Sequence, residues 1–534
     1  MAPETTGQPA EVKPFPTVFW TANVTELFER AAYYSMASFL VIYLGQLGFG
    51  NYWPSFLSSS VLWFLVFFLP ILSGTIADQI GFRKALLIAF VLLASGYFLM
   101  GYPVWLGGST LAPQIHNEVT VGVRDAVLVV TAILLIGIGG SVIKPCIAGT
   151  VQKVSGARAT LGFAIFYMVI NIGSLFGRGT AFVVRRGAGF GTIVATVAVL
   201  ALAAAAIVML VRHTTKAERT RKDIWVATAG FTAAVVLAAL SVAWLFGRDV
   251  AARAGVGASS LSYIFAVSAL ASAVAFLVVF VFYREPAADT SPAKPKRSVG
   301  RILLDMVLVL RSGRFSLYLV VMAGFYFIYN QVYNVLPLYV KRVVEAAPAM
   351  DLYTAANPFV IVCFQLILSN AFGKMKPIRS MVVGTVVISA AMLINVMPIY
   401  TAGGPQAVMA HWLPLGSIFI ILTVGLVALG ELFTSPRMYE YIGALAPKGQ
   451  EGLFLGYANL PLALGALISG FAGAFLFNEI MAKGATTRPD GLLELVPANN
   501  MLGWAILTLI GLVSAGSLWL FNRWLERQPI ADSR

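Results

Sequence analysis

Two glutamates and an arginine fall within five residues of one another in an apolar stretch near the start of the chain. Glu26, Glu29 and Arg30 are spaced i, i+3 and i+4, so their side chains share one face of a helix. Tyr33 and Tyr34 continue that face one turn later. An ionisable side chain inside a bilayer costs about 3 kcal/mol on insertion scales and usually faces a bundle interior, where it marks an ion or substrate path. A structural ion pair between Glu26 and Arg30 is the alternative, but it involves one carboxylate and leaves Glu29 without an assigned partner.

Two more charges interrupt apolar stretches that lie far apart in the sequence. Lys144 follows the glycine-rich run 137–140 and precedes Pro145, a pattern that predicts a tightly packed and kinked helix, and Glu431 follows Gly430. Burial disfavours a charged lysine and a nearby carboxylate restores it, so protonation of that carboxylate would release such a pair. This chemistry suits a cavity whose contents change protonation state, although a static buried ion pair has the same signature. The first cluster, Lys144 and Glu431 are the charges that we place near mid-depth.

The composition of the chain is that of a polytopic membrane protein. Of 534 residues, 59% are hydrophobic and 11% are charged, against about 25% charged in soluble domains. The formal net charge of +14 resides mostly in short loops between apolar segments, which favours membrane topology over binding to nucleic acid. The two cysteines and three histidines have no clustered partners, so we expect no disulfide framework, metal site or cofactor: Cys146, Cys363, His116, His213 and His411.

Apolar stretches of about 20 residues, read between loops and Gly/Pro clusters, predict about fourteen membrane spans. Their approximate limits are 17–45, 54–77, 83–106, 126–150, 160–183, 189–211, 223–246, 258–283, 314–340, 354–373, 379–400, 411–441, 452–480 and 499–524. Alternate loops are richer in Lys and Arg, which predicts that those loops and both chain ends are cytoplasmic.

A polar linker rich in Pro, Ala, Ser and Lys divides the spans into eight and six. We interpret this as two six-helix halves with an inserted helix pair between them. The predicted regions are a disordered cytoplasmic N-terminus at 1–16, an N-terminal half at 17–213, the inserted pair at 222–283, the linker at 284–312, a C-terminal half at 313–525 and a tail at 526–534. The inserted pair has no acid or base at 226–245 or 261–282, so we expect it to face lipid at the periphery.

Several motifs carry a resemblance to a known family. Gly74-x-x-x-Asp78-x-x-Gly81-x-Arg83-Lys84 is similar to the loop signature of the major facilitator superfamily. The Glu26-x-x-Glu29-Arg30 motif with the following tyrosines resembles one family of that superfamily, the proton-coupled oligopeptide transporters. Four further segments resemble the same family: 139–145, 166–175, Asn357-Pro358 and 430–436. These motifs occur in the family's order from about residue 20 to 440. The resemblance implies an all-α membrane fold of two six-helix halves plus the inserted pair.

The resemblance also implies a proton symporter that imports di- and tripeptides across the bacterial inner membrane by alternating access. Its partners would be a small peptide, protons and the lipid bilayer, and we expect a monomer. Proton coupling is then assigned to Glu26, Glu29, Arg30 and Glu431. Substrate binding is assigned to Arg30, Tyr33, Tyr34, Lys144, Asn171, Asn330, Asn357 and Glu431. A zwitterionic peptide fits this set independently, because cations bind its carboxylate, while a carboxylate with amide oxygens binds its ammonium.

Three positions depart from the family's pattern and leave the substrate open. Ala37 and Asn330 stand where many members have an arginine and an acid that pair as an outer latch, and Ala458 lies near a common pocket tryptophan. We therefore expect the outer gate to close by packing and neutral hydrogen bonds. Another small solute, such as nitrate or an amino-acid-like compound, is the alternative substrate. A membrane-embedded enzyme would need a nucleophile–base pair that the sequence does not display, and a sensor that no longer transports is a third class.

Overall fold

The computed structural model of the protein describes most of the chain as a bundle of long helices. The described residues are 15–185, 261–286, 300, 304, 308, 311, 313–372, 374–409, 413–445 and 457–527. The predicted spans 189–211 and 223–246, most of the linker, His213 and His411 lie outside them. Every other predicted span coincides with a described helical segment.

The first eight helices precede the linker. They are α1 (Thr17–Ala37), α2 (Leu40–Leu47), α3 (Trp53–Phe68), α4 (Pro70–Ile80), α5 (Phe82–Trp105), α6 (Val123–Ser155), α7 (Ala159–Arg185) and α8 (Tyr263–Phe282). α2 continues α1 after a two-residue break. α3 and α4 form one path bent by 42° before Pro70, whose ring cannot donate to the preceding turn. Gly81 ends α4 with φ at +92°, a conformation that favours glycine.

Six helices and two short hairpins follow the linker within the described ranges. The helices are α9 (Gly313–Val344), α10 (Met350–Phe372), α11 (Pro377–Leu393), α12 (Leu415–Leu445), α13 (Leu460–Met481) and α14 (Pro497–Arg527). The antiparallel hairpins pair β1 (Val408–Met409) with β2 (Leu413–Pro414) and β3 (Thr486–Thr487) with β4 (Leu493–Glu494). In α9 a 3-10 turn interrupts the α-helix over Asn330–Tyr333.

The bundle has two ends that carry different connections. One end, here called the terminal face, holds the start of α1 and the end of α14, and there Lys376 lies 3.5 Å from Glu526. The other end, here called the hairpin face, holds both hairpins and the long connection from α5 to α6. Lys341 on α9 donates to the carbonyl of Pro113 in that connection at 2.8 Å, so the two halves touch at the hairpin face.

Nine of the described helices are long and apolar enough to cross a membrane, or ten if the bent pair α3–α4 counts as one span. α1 is not among them because any span-length window within it contains Glu26, Glu29 and Arg30. The described part of the chain is thus a multi-pass membrane protein. The predicted region boundaries remain predictions.

Glycines allow the backbones of adjacent helices to touch inside each half. A Cβ at Gly177 of α7 would lie 2.2 Å from the carbonyl oxygen of Ala31, and one at Gly173 would lie 2.8 Å from Cβ of Arg30. In the C-terminal half a Cβ at Gly430 would lie 2.7 Å from the carbonyl of Gly384 on α11. Small residues four apart are a common device for close helix approach in membranes. Here they fix α7 against the charged segment of α1.

The described helix of the inserted pair, α8, does not face lipid all round. Ser268 donates to the carbonyl of Ala32 on α1 at 2.8 Å, and its hydroxyl lies 2.6 Å from that of Ser35. Beyond the end of α8, the Glu285 carboxylate accepts from the backbone amides of Phe82 and Arg83 at 2.8 and 2.9 Å. One face of α8 thus packs on the bundle, while the opposite face stays exposed at Leu270 and Leu277, so the predicted lipid-facing surface covers only part of this helix. Small serines at one face, invisible to a count of charges, let it pack on α1 and α5.

Candidate functional site

The three charges of α1 form one buried cluster. Nε of Arg30 lies 2.5 Å from Oε2 of Glu29 and 3.4 Å from Oε1 of Glu26. All three side chains are almost completely buried, and the Glu26 carboxylate has no hydrogen-bond donor in the structure. A buried carboxylate without a donor is costly while charged, and taking up a proton removes that cost. The predicted pair between Glu26 and Arg30 exists, but Glu29 is the closer partner, so one cation faces two acids.

The tyrosines after this cluster surround its cation with aromatic surface. The guanidinium carbon of Arg30 lies 5.3 Å from the ring centroid of Tyr33 and 5.9 Å from that of Tyr34. The two rings meet edge to face with their centroids 5.3 Å apart, and the ring centroids of Tyr33 and Trp63 of α3 are 6.2 Å apart. These distances fit cation–π contacts, which hold the guanidinium in place without neutralising it.

Lys144 on α6 has no acidic partner within 4 Å among the residues that the structure describes. Its ammonium nitrogen lies 5.8 Å from the ring centroid of Phe67, and its side chain is partly buried. The predicted tight packing of this helix is confirmed, because a Cβ at Gly139 would lie 2.9 Å from the carbonyl of Ala89 on α5. The packing leaves the lysine as a cation available to an anionic group.

Glu431 on α12 is paired with an amide from another helix. Nδ2 of Asn357 on α10 donates to its Oε2 at 3.1 Å, and both side chains are partly buried. The sequence assigned both residues, with Asn171, to a peptide amino terminus. Asn171 lies on α7 and donates to the carbonyl of Tyr167 on its own helix at 2.9 Å, so it does not join the pair here. Asn357 and Glu431 thus form one polar pair between α10 and α12.

Charges from both halves act on one another across the bundle. Lys144 is within electrostatic range of Glu26, Glu29 and Glu431. The predicted interaction of Lys144 with Glu431 across the gate is not an ion pair in this structure, because the described side chains stay more than 4 Å apart. Lys144 of the N-terminal half and Glu431 of the C-terminal half thus lie within electrostatic range of each other without forming an ion pair.

The positions that depart from the family's pattern are all buried. Asn330 lies in the 3-10 turn of α9, is 0% exposed, and neither of its amide atoms has a hydrogen-bond partner in the structure. Ala37 ends α1 and Ala458 lies in the turn before α13, and both are buried as well. The sequence assigned Asn330 to substrate binding, but in the structure its side chain makes no hydrogen bond to the other site residues.

The sequence analysis missed a charge at the interface of the halves. Arg178 on α7 is 0% exposed, donates to Thr354 of α10 at 2.9 Å and to Tyr333 of α9 at 3.1 Å, and also bonds Ser174. Arg178 could have been predicted from the sequence, because it is a basic residue inside the predicted span 160–183.

Charged contacts also close the hairpin face, contrary to the expected neutral gate. Arg185 at the end of α7 lies 3.2 Å from Asp351 at the start of α10, and the Asp351 side chain is fully buried. Neutral contacts contribute as well, since Nδ2 of Asn334 donates to Ser59 at 2.8 Å. The expectation of closure by neutral groups alone is wrong, because α7 supplies the cations that α1 lacks.

The described helices form a multi-pass membrane bundle with ionisable groups buried between its two halves. Over nearly its whole length the chain is 24% identical to dipeptide and tripeptide permease B of Yersinia enterocolitica, covering 98% of this chain and 96% of that protein. It is 25% identical to dipeptide and tripeptide permease A of Escherichia coli K12, covering 86% and 84%. No family model matches the chain.

Solved structures agree on the fold. A peptide transporter POT in complex with alafosfalin superposes with a TM-score of 0.62 at 17% identity, covering 96% of this chain and 95% of that one. A POT family transporter in complex with 5-aminolevulinic acid gives 0.61 at 17% identity, covering 96% and 97%. Tetrameric PepTSo2 gives 0.55 at 19% identity, covering 96% and 98%. The fold is that of these POT transporters, and the resemblance to peptide transporters seen in the sequence is confirmed.

Proposed function

We propose that this protein is a proton-coupled symporter that imports di- and tripeptides by alternating access. The observation that carries the proposal is the α1 cluster, in which two buried carboxylates share the single cation Arg30 while Lys144 and Glu431 face the same region. Its relatives are named dipeptide and tripeptide permeases, which supports the peptide as substrate. The two-halved fold supports alternating access around a central site.

The charges suggest how a zwitterionic peptide would bind. Lys144 has no acidic partner in the described residues and would receive the peptide carboxylate. Glu431, with its amide partner Asn357, would accept the peptide ammonium, and the two ends would thus contact opposite halves. We assign Tyr33 and Tyr34 to the wall of this site, and Asn171 and Asn330 to positions that contact substrate after a change in side-chain conformation. Binding that bridges both halves would favour their closure around the peptide.

Proton coupling would arise from competition for Arg30. While Glu26 and Glu29 are both charged, they hold the guanidinium at 3.4 and 2.5 Å. A proton on either carboxylate weakens that grip and frees donors of Arg30 for the peptide carboxylate. One charge that crosses a potential of 100 mV gains about 2.3 kcal/mol, which is enough to drive accumulation. Glu431 would release the ammonium when it takes up a proton in turn.

We place the protein in the bacterial inner membrane with the terminal face in the cytoplasm, because loops at that face are richer in Lys and Arg. The hairpin face is then periplasmic, and the contacts that join the halves there describe a state closed to the periplasm. We propose that one chain is a complete transport unit, although the tetrameric PepTSo2 crystals are of a protein with a similar fold.

Transport of di-alanine tests the proposal. Purified protein in proteoliposomes, given an inward proton gradient and labelled di-alanine, should accumulate the peptide above equilibrium, and a protonophore should abolish the accumulation. Equal internal and external di-alanine with the gradient intact would contradict the proposal. Unlabelled nitrate and 5-aminolevulinic acid serve as competitors in the same assay.

An amino-acid-like solute is the second candidate. The observation in its favour is that a POT family transporter of similar fold was crystallised in complex with 5-aminolevulinic acid, which carries the same two terminal charges as a short peptide. Accumulation of labelled 5-aminolevulinic acid without accumulation of labelled di-alanine would select this candidate.

A further inference from the structure

Arg178 is a buried cation that touches both halves of the protein. Its side chain is completely buried on α7, and its guanidinium donates from Nε to Thr354 at 2.9 Å and from Nη2 to Tyr333 at 3.1 Å. Thr354 lies on α10 and Tyr333 on α9, so both belong to the C-terminal half. The same group bonds Ser174 on its own helix. Five donors in a fixed fork allow one arginine to hold three elements at once.

The partners of Arg178 are neutral. No carboxylate in the described ranges lies within 4 Å of it, and its remaining contact is the ring of Tyr34, 4.5 Å from the guanidinium carbon. A desolvated cation held by neutral groups alone keeps part of its desolvation cost. Separation of the halves would exchange these hydrogen bonds for water, so the contact stabilises the closed state only modestly. The contact can therefore form and break as the halves approach and separate.

A second charged contact lies two turns further along the same pair of helices. Arg185, seven residues after Arg178 on α7, meets Asp351 of α10 at 3.2 Å, and Thr354, the α10 partner of Arg178, also bonds the hydroxyl of Ser38 at the end of α1, 2.7 Å away. α7 and α10 thus carry matched polar residues at successive levels toward the hairpin face. Arg178 is the innermost of these contacts and the one nearest to the candidate site.

Tyr34 joins this interface to the charge cluster. Its ring lies 4.5 Å from the guanidinium carbon of Arg178 and 5.9 Å from that of Arg30. A movement of Arg30 toward a bound anion would change the position of this ring, and with it the surface that supports Arg178. The geometry links occupancy of the site to the integrity of the contact above it.

We propose that Arg178 is the latch that closes the hairpin face over the substrate site, a role that the family's pattern gives to residues absent at Ala37 and Asn330. The inference rests on the alternating access of the proposed function but not on the identity of the substrate. Arg178 acts here as a positioning residue: it holds α9 and α10 against α7 and does not itself bind peptide. Loss of its side chain should open the hairpin face.

The distance between the halves tests this latch. Spin labels at Val123→Cys and Val408→Cys, two exposed positions at the hairpin face of different halves, report the separation in lipid nanodiscs. Both native cysteines are buried. Arg178→Met should raise the ratio of wide to narrow distances about tenfold, the worth of one hydrogen bond to a charged group. Arg488→Met, in the connection between β3 and β4, is the matched control, because Arg488 pairs with Asp490 of its own half.

An unchanged distance distribution in Arg178→Met would overturn the proposal. If that variant does not fold, the pair Thr354→Val and Tyr333→Phe removes the partners from the other half and should produce the same widening. A second measurement separates a latch from a direct substrate contact. Arg178→Met should alter binding of di-alanine and of its C-terminal amide by the same factor, whereas a loss confined to the free carboxylate would also overturn the latch.

The distances need no transport, so failure of the latch and failure of the proposed function are distinguishable. Wider distances in Arg178→Met together with no proton-driven uptake by the wild type would remove the proposed function and keep the latch. Normal uptake by the wild type with no widening in the variant would do the reverse.

Discussion

Asn357 and Glu431 lie 74 positions apart on α10 and α12, and the Asn357 amide donates to the Glu431 carboxylate at 3.1 Å. The contact orients the carboxylate, which also accepts a hydrogen bond from Tyr329 of α9. Gly430 supports this placement, since its lack of a side chain lets α12 approach the backbone of α11 at Gly384. A partly buried, oriented carboxylate is the expected receptor for an ammonium group.

Neutralising this carboxylate should cost affinity for a free amino terminus. Glu431→Gln keeps the shape of the side chain but removes its charge, so we expect di-alanine to bind about 10- to 100-fold more weakly, the range for a charge-assisted hydrogen bond. N-acetyl di-alanine, which lacks the ammonium, should lose much less. Competition against labelled substrate in counterflow measures both. Equal losses for the two compounds would remove the assigned role, and Glu526→Gln, at an exposed acid of the terminal face, is the control.

Removing the cation of α6 should act on the other end of the peptide. Lys144→Ala is expected to weaken binding of free di-alanine more than binding of its C-terminal amide, because only the free peptide presents a carboxylate. Binding to purified protein by calorimetry gives both affinities. Lys153→Ala on the same helix is the control, since Lys153 is exposed and lies over the ring of Phe82. If both peptides lose affinity equally, Lys144 supports the site without contacting the carboxylate.

The close approach of α7 to α1 should be sensitive to a single methyl group. A Cβ at Gly177 would lie 2.2 Å from a backbone carbonyl, which cannot move aside, so Gly177→Ala should destabilise the protein by about 1–3 kcal/mol. Thermal unfolding in detergent measures the loss. Gly516→Ala on α14 is the matched control, because its Cβ meets open space and gains helix propensity. A melting temperature for Gly177→Ala as high as that of the control would show that the two helices can separate without penalty.

Most spans could be predicted from sequence because twenty apolar residues are a local signal. The charges of α1 were found for the same reason, since Glu26, Glu29 and Arg30 are neighbours in sequence and share a helix face. The contact of Asn357 with Glu431 was anticipated only through family motifs, because nothing local relates positions so far apart. The roles of the site residues remain predictions.

The interface between the halves could not be read from the sequence. Arg178 bonds Thr354 and Tyr333 across the interface, and Arg185 pairs with Asp351. These contacts depend on the packing of α7 on α10, which neither hydrophobic periodicity nor a sequence motif predicts. The absence of an arginine at Ala37 suggested a neutral gate. In the structure a cation joins the halves, Arg185 on α7. The docking of α8 was hidden for a similar reason, because serine side chains that join helices look like ordinary small residues.

The central claim is that a proton on the α1 cluster drives uptake, and Glu29→Gln tests it most directly. The substitution leaves Arg30 with Glu26 as its single acid and removes the competition that a proton would otherwise relieve. In proteoliposomes with an inward proton gradient, the wild type should accumulate labelled di-alanine, while Glu29→Gln should only equilibrate it and still exchange it in counterflow. Accumulation by Glu29→Gln at the wild-type level would contradict the account.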